Sequence, residues 1–157
     1  MKIFETKELT AAQKKHVVEM WNNEYPANIA YSDVSGFDEY LNGFHTKRHF
    51  LAIDENGEIV GWALIFDRDD VLWFAIIIDG KAQGKGLGVK LIETLQSAEK
   101  RLFGWVIDND ESVKSNGEKY RSPLGFYRKL GFKVHHHEKY LKGGISGVKI
   151  EWHDDKS

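Results

Sequence analysis

The sequence predicts an α/β domain built on a mixed, largely antiparallel sheet flanked by helices. Two observations lead there. Leu72-Trp73-Phe74-Ala75-Ile76-Ile77-Ile78 is an unbroken apolar run of strand length, followed by the glycine-rich Gln83-Gly84-Lys85-Gly86-Leu87-Gly88. After it, Leu87, Leu91, Leu95, Ala98 and Leu102 recur at three- and four-residue steps, the signature of one helix face, before the short apolar run Phe103-Gly104-Trp105-Val106-Ile107. A strand, helix, strand unit within one sheet forces its two strands to run parallel. Upstream, residues 49–54 and 58–66 flank Glu55-Asn56-Gly57, whose Asn-Gly pair is a hairpin signal, so the pairing there is antiparallel.

Element by element, Lys2-Ile3-Phe4-Glu5 reads as a short strand, and Thr10 with Gln13 forms a capping-box pair for a helix running to about Glu24. A second helix is expected from Ser35, because Phe37, Tyr40, Leu41 and Phe44 make an apolar stripe. The hairpin follows, and Asp67-Arg68-Asp69-Asp70 turns the chain into the Leu72 strand. Beyond the parallel strand, Ser122-Pro123-Leu124-Gly125-Phe126-Tyr127-Arg128-Lys129-Leu130-Gly131-Phe132 carries a Ser cap, Pro at the first helical position, a basic last turn and a Gly stop. Residues 132–140 and 147–152 make a last strand pair, joined through Lys142-Gly143-Gly144-Ile145-Ser146.

At 157 residues the chain suits a single domain, residues 1–157, able to bury roughly 70% of its unfolded surface. It contains 0 cysteines, which excludes disulfides, thiolate metal sites and an acyl-cysteine intermediate. A net charge of -2 offers no basic face for nucleic acid. No apolar run approaches the ~20 residues needed to span a bilayer, and the N-terminus lacks a signal-peptide core, so a cytoplasmic protein without membrane partner is expected. Monomer and homodimer are equally compatible with these features.

A glycine-rich turn opening a helix presents unpaired backbone N–H groups at the positive end of the helix dipole, and its glycines let a bulky anion approach. The expected ligand is a phosphate or pyrophosphate; the alternative is a tight turn whose glycines serve only positive φ. The dinucleotide pattern Gly-x-Gly-x-x-Gly fails because Val89 stands where the third glycine belongs, and a P-loop counted from Gly80 places Lys85 where glycine is required. What remains, Gln-x-x-Gly-x-Gly between strand and helix, resembles the pyrophosphate motif of the GNAT family of N-acetyltransferases. Phe126-Tyr127-Arg128-Lys129-Leu130-Gly131-Phe132 also resembles that family's Phe-Tyr-x-x-x-Gly-Phe segment at every fixed position.

The resemblance covers essentially the whole chain. It implies the acyl-CoA N-acyltransferase fold with a splayed central parallel strand pair, acetyl-CoA as co-substrate, no metal, and transfer to a primary amine, of a small molecule, by direct attack in a ternary complex. By the same resemblance the pyrophosphate contacts are Gln83, Gly84, Lys85, Gly86, Leu87 and Gly88. Backbone groups near Ile76 and Ile78 hold the pantetheine arm, and Phe126 borders it. Tyr127 protonates or hydrogen-bonds the departing sulfur. An Asn seven residues before that Tyr is usual; this chain has Tyr120 there, so either Asn109 or Asn116 makes the contact, or the long loop 109–121 faces the acceptor.

The chemistry sets its own demands. A lysine-like amine is neutral in only about one molecule in 2,500 at neutral pH, a handicap of roughly 4.6 kcal/mol, so the site must desolvate the amine or supply a proton acceptor. The strand before the glycine loop lacks the Glu many relatives carry, leaving Asp79 as the first candidate base and Asp108 as the second. Trp21, Tyr25, Tyr31 and Phe37, with Tyr40 and Phe44, crowd the region where the family binds its acceptor, beside Glu24, Asp33, Asp38 and Glu39. Either they form a cation-binding pocket, or the aromatics are core and the acids a solvated face. His135-His136-His137 reads as solvated strand, since only alternate residues share a face. His45 and His49 either border the acceptor site or pack structurally. The competing function is an acyl-CoA-binding sensor or interaction module of the same fold without turnover.

Overall fold

In the computed structural model, which describes residues 1–142 and 144–154, the chain opens with strand β1 (Lys2–Thr6) and helix α1 (Ala11–Glu24). The capping box is formed on both sides: the Gln13 amide donates to Thr10 Oγ1 at 3.1 Å and the Thr10 amide to Gln13 Oε1 at 2.8 Å. Helix α2 (Val34–Asn42) starts one residue before the expected Ser35, because Asp33 is the cap and accepts from the Ser35 amide at 2.9 Å. Phe37 and Leu41 are buried as the stripe requires, while Phe44 lies past the helix end against Phe66, with ring centroids 4.2 Å apart.

Strands β2 (Lys47–Ile53), β3 (Ile59–Arg68) and β4 (Val71–Ile78) form the antiparallel meander. The β3–β4 turn places Asp69 and Asp70 at φ 53° and 63°, the two positive angles of a tight hairpin loop that Asp tolerates better than most residues. Helix α3 (Leu87–Ala98) buries Leu87, Leu91 and Leu95, but Leu102 belongs to β5 (Arg101–Ile107). Its helical spacing was coincidental: the helix stops at Ala98, and Leu102 fills the same core from the sheet.

Helix α4 (Leu124–Lys129) is one position shorter at its start than expected. Pro123 rather than Ser122 occupies the cap position; the Ser122 hydroxyl accepts from the Leu124 amide at 3.4 Å and donates to the Ile107 carbonyl at 2.5 Å, tying the helix to the end of β5. Gly131 ends it at φ 91°. Strands β6 (Lys133–Lys142) and β7 (Ile145–His153) close the sheet; their connection includes Gly143, outside the described residues.

The order is β1-β2-β3-β4-β5-β7-β6, with β4 and β5 the parallel neighbours, so the mixed sheet flanked by helices is observed. Each face carries its own apolar cluster: α3 and α4 pack with Phe74, Leu102 and Val106 on one, α1 and α2 with Trp62, Trp73 and Phe103 on the other. No helix among the described residues is long and apolar enough to cross a membrane.

Candidate active site

The two parallel strands part almost as soon as they meet. Trp73 and Phe103 are the single register pair between them among the described residues, whereas β4 stays bonded to β3 as far as Ile78 and β5 to β7 as far as Ile107. On β4 the residues alternate: the Asp79 amide donates to the Val60 carbonyl at 2.9 Å, so odd positions spend their backbone groups on β3 and even positions point into the gap. The carbonyls there find side chains instead. Tyr25 donates its hydroxyl to the Ile76 carbonyl at 3.0 Å, and Gln83 Nε2 donates to the Ile78 carbonyl at 3.1 Å.

A cleft of about 1250 Å³ runs through this gap from one sheet face to the other. On the α3/α4 side its walls include Phe74, Ile76, Ile78, Phe126 and Tyr127; on the α1/α2 side they include Trp21, Tyr25, Tyr31, Trp73 and Trp105. Gly84, Gly86 and Gly88 stand at its edge. Gly84 and Gly86 adopt φ 79° and 80°, with nothing near a hypothetical Cβ, so glycine is needed there for its backbone. Gly88 is needed for close approach, since a Cβ would meet Phe126 Cζ at 3.1 Å. The first turn of α3 begins at Leu87, where helix geometry leaves amides without intrahelical partners. Leu87 can contribute only backbone, its side chain being buried in the core, and the exposed Lys85 does not line the cleft.

Glu24 ties this loop to α1. Its carboxylate accepts from the Gly80 amide at 2.9 Å, from Gln83 Nε2 at 3.3 Å and from Lys114 Nζ at 3.3 Å. Gln83 is therefore held by Glu24 and the strand end, close to the loop amides.

Tyr127 packs edge-on to Phe74, Phe126 and Phe132, with centroids 5.2 to 5.7 Å away. Its hydroxyl has no hydrogen-bond partner among the described residues, yet no fully buried side-chain polar atom among them goes unpaired, so this hydroxyl reaches the cleft. Burial, with a smaller contribution from Tyr120, pushes its pKa well above the usual phenol value. Tyr120 itself lines the cleft where the family's Asn was missing, and burial raises its pKa to about 12.

The candidate bases are placed elsewhere. Asp79 does not line the cleft; it caps the 3₁₀ turn Gly80–Ala82, accepting from the Lys81 amide at 3.1 Å, the role its strand-end position favours. Asp108 is held by Lys139 Nζ at 2.6 Å, which keeps its carboxyl below the usual range. Asn109 lies in a separate hollow beside Ala27 and Gly144, bonded to Asp108 and to the Glu111 amide, and Asn116 shapes its own turn through the Glu118 amide. Neither reaches the cleft. The cleft's own carboxylates are Glu24 and Glu118.

Of the expected acceptor residues, Trp21, Tyr25 and Tyr31 line the cleft, while Phe37 is fully buried behind them. His49 is also buried, its Nδ1 accepting from Trp62 Nε1 at 3.0 Å, and thus packs structurally. In β6 the register slips between His135 and Lys139, so His136 and His137 are exposed in a bulge and His135 bonds Glu151 at 2.9 Å. Tyr25 and Glu24 were placed by the sequence in the aromatic and acidic region, but the Tyr25 hydroxyl bond, the anchoring of the loop by Glu24 and the place of Arg68 in the cleft lining were not read from it. They depend on which face each side chain takes, and only the adjacency of Glu24 and Tyr25 to the aromatic cluster hinted at them.

The family model described as "Acetyltransferase (GNAT) domain" matches residues 46–134. Among solved structures, an aminoglycoside 6'-N-acetyltransferase complexed with coenzyme A is 13% identical, with a TM-score of 0.72 over 98% of this chain and 97% of that one. An aminoglycoside 6'-acetyltransferase type Ii is 15% identical, also with a TM-score of 0.72, over 98% and 97%. Spermidine N-acetyltransferase from Vibrio cholerae, in complex with CoA and spermine, is 15% identical with a TM-score of 0.69 over 98% and 96%. At such identities the likeness is one of fold. No curated protein matches the sequence significantly.

Proposed function

Because the chain belongs to the GNAT acetyltransferase family, we propose that it moves the acetyl group of acetyl-CoA to a primary amine of a small molecule by direct attack in a ternary complex. One observation carries this reading: the cleft crosses the sheet, so a thioester entering from the α3/α4 side and an amine entering from the α1/α2 side meet in the gap beside Ile76. The small-molecule acceptors named for the similarly folded aminoglycoside and spermidine enzymes support it.

The amides of Gly84, Gly86, Leu87 and Gly88 receive the pyrophosphate at the positive end of α3. Backbone groups of Ile76 and Ile78 align the pantetheine arm and polarise the thioester carbonyl, while Phe126 packs beside it. The amine nitrogen forms a bond to the acetyl carbon, the C–S bond breaks, and the Tyr127 hydroxyl hydrogen-bonds the departing sulfur. The aromatic walls desolvate the amine, favouring its neutral form. Its proton leaves to water in the cleft rather than through Asp79.

Calorimetric titration of acetyl-CoA into the protein and into Gly86→Glu tests the coenzyme site. Binding is expected only to the unsubstituted protein, because the added carboxylate repels the pyrophosphate and disfavours φ 80°. Thiol release with a panel of small amines, and intersecting rather than parallel double-reciprocal plots, tests direct attack. Binding without release for any amine would make the chain a coenzyme sensor.

A further inference from the structure

The acceptor half of the cleft contains a positive charge that no carboxylate answers. Arg68, the last residue of β3, lays its guanidinium 5.9 Å from the Phe44 ring centroid, 5.2 Å from Phe66 and 5.4 Å from Trp73. It lines the cleft and is half-buried, and among the described residues its side chain makes no hydrogen bond or ion pair. The contrast with the other ring-stacked arginines is direct. Arg48, over Phe50, is bonded to Glu5 and Glu99 at 2.7 and 2.8 Å; Arg101, over Phe103, is bonded to Glu151 at 2.6 Å. Asp69 and Asp70 follow Arg68 in sequence, but the turn holds both exposed and beyond ion-pair reach.

The charge of the lining points the same way. Its acids are Glu24 and Glu118, against Arg68, Lys114, Lys119 and Arg121, and Glu24 is already paired with Lys114. A polyamine would bring further ammonium groups against this net positive lining, which repels them. A guanidinium fork without a partner, on aromatic faces that keep water away, instead fits a carboxylate.

Geometry sets how far that carboxylate lies from the reacting nitrogen. The guanidinium stands over the Trp73 ring, and Ile76, beside which the proposed transfer occurs, is three residues farther along β4, a backbone separation of roughly 10 Å at strand rise. An α-amino acid is too short to touch both. Resting on the acetyltransferase reading for the position of the nitrogen, we propose that the acceptor is a small ω-amino carboxylate, its amine at the gap and its carboxylate on Arg68, which sets the specificity.

The experiment is a tryptophan-fluorescence titration, reporting through Trp21, Trp73 and Trp105, with ε-aminocaproate, hexylamine, hexamethylenediamine and glycine, in the absence and presence of coenzyme A. In the unsubstituted protein ε-aminocaproate should bind at least ~10-fold tighter than the other three. Arg68→Met should abolish that preference while leaving hexylamine within about 2-fold, and Arg68→Lys, which keeps charge without the fork, should retain part of it. Tightest binding by hexamethylenediamine, no detectable binding of ε-aminocaproate, or a preference surviving in Arg68→Met would overturn the proposal. Since binding is read without turnover, failure of thiol release would count against the acetyltransferase reading alone.

Discussion

Burial decides what Tyr127 can do. A phenol in water is already a weaker acid than a thiol, with pKa values of ~10 and ~8.5, and the aromatic cage raises the Tyr127 value further. Full proton transfer to a departing thiolate is therefore uphill. A hydrogen bond to the developing sulfur charge is not, because the raised pKa keeps the hydroxyl protonated at every working pH. Tyr127→Phe should lower kcat by about 10²-fold, the scale for removing one preorganised hydrogen-bond donor to developing charge. The same substitution should leave Tm within a degree or so, since the hydroxyl has no protein partner to lose. Steady-state kinetics beside a thermal melt checks both; an unchanged kcat would reduce Tyr127 to a packing residue.

At the scale of elements, the order of strands and helices was legible because each has a local cause. The Thr10–Gln13 box, the Asn56-Gly57 turn and the Gly131 stop act within a few residues of themselves. The glycine loop was legible for the same reason, with Gly84 and Gly86 at the positive φ that glycine supplies. The base was not. Whether Asp79 faces the cleft or folds back onto Lys81 depends on a 3₁₀ turn that no spacing rule encodes, and Asp108 meets Lys139 across the sheet. The link from α1 to the loop was equally hidden, as Glu24 and Gly80 are far apart in the chain. That link carries a prediction. Glu24 holds Gly80, Gln83 and Lys114 at once, so under the proposed function it acts as a positioning residue for the glycine loop. Glu24→Gln should raise KM for acetyl-CoA by about 10-fold while kcat stays within ~3-fold, in line with the loss of a charge-assisted contact. A collapse of kcat at unchanged KM, with loss of the acid limb of the rate profile, would make Glu24 the proton acceptor instead.

For the whole molecule, an apolar cluster is packed on each face of the sheet, and the cost of any polar group buried in one falls on global stability. His49 is the one buried residue with an ionisable side chain that the aromatic face encloses among the described residues, 1% exposed on β2 and accepting from Trp62 Nε1. Burial, with Lys47 and Lys14 nearby, lowers its pKa from 6.5 to about 4. The unfolded chain thus binds a proton that the folded one refuses between those values. The stability contributed by neutral His49 is complete above 6.5 and is lost as pH falls through about 4, amounting to roughly 3 kcal/mol. Urea midpoints measured from pH ~7.5 down to pH ~4.5 should fall steadily in the unsubstituted protein, ahead of the loss expected from carboxylates such as Glu5 and Asp108, whose pKa values are depressed and which protonate only at lower pH. His49→Gln keeps an acceptor for Trp62 but has no proton to refuse, so its midpoint should be nearly flat over the same range. Equal slopes in the two proteins would place the acid sensitivity elsewhere in the fold.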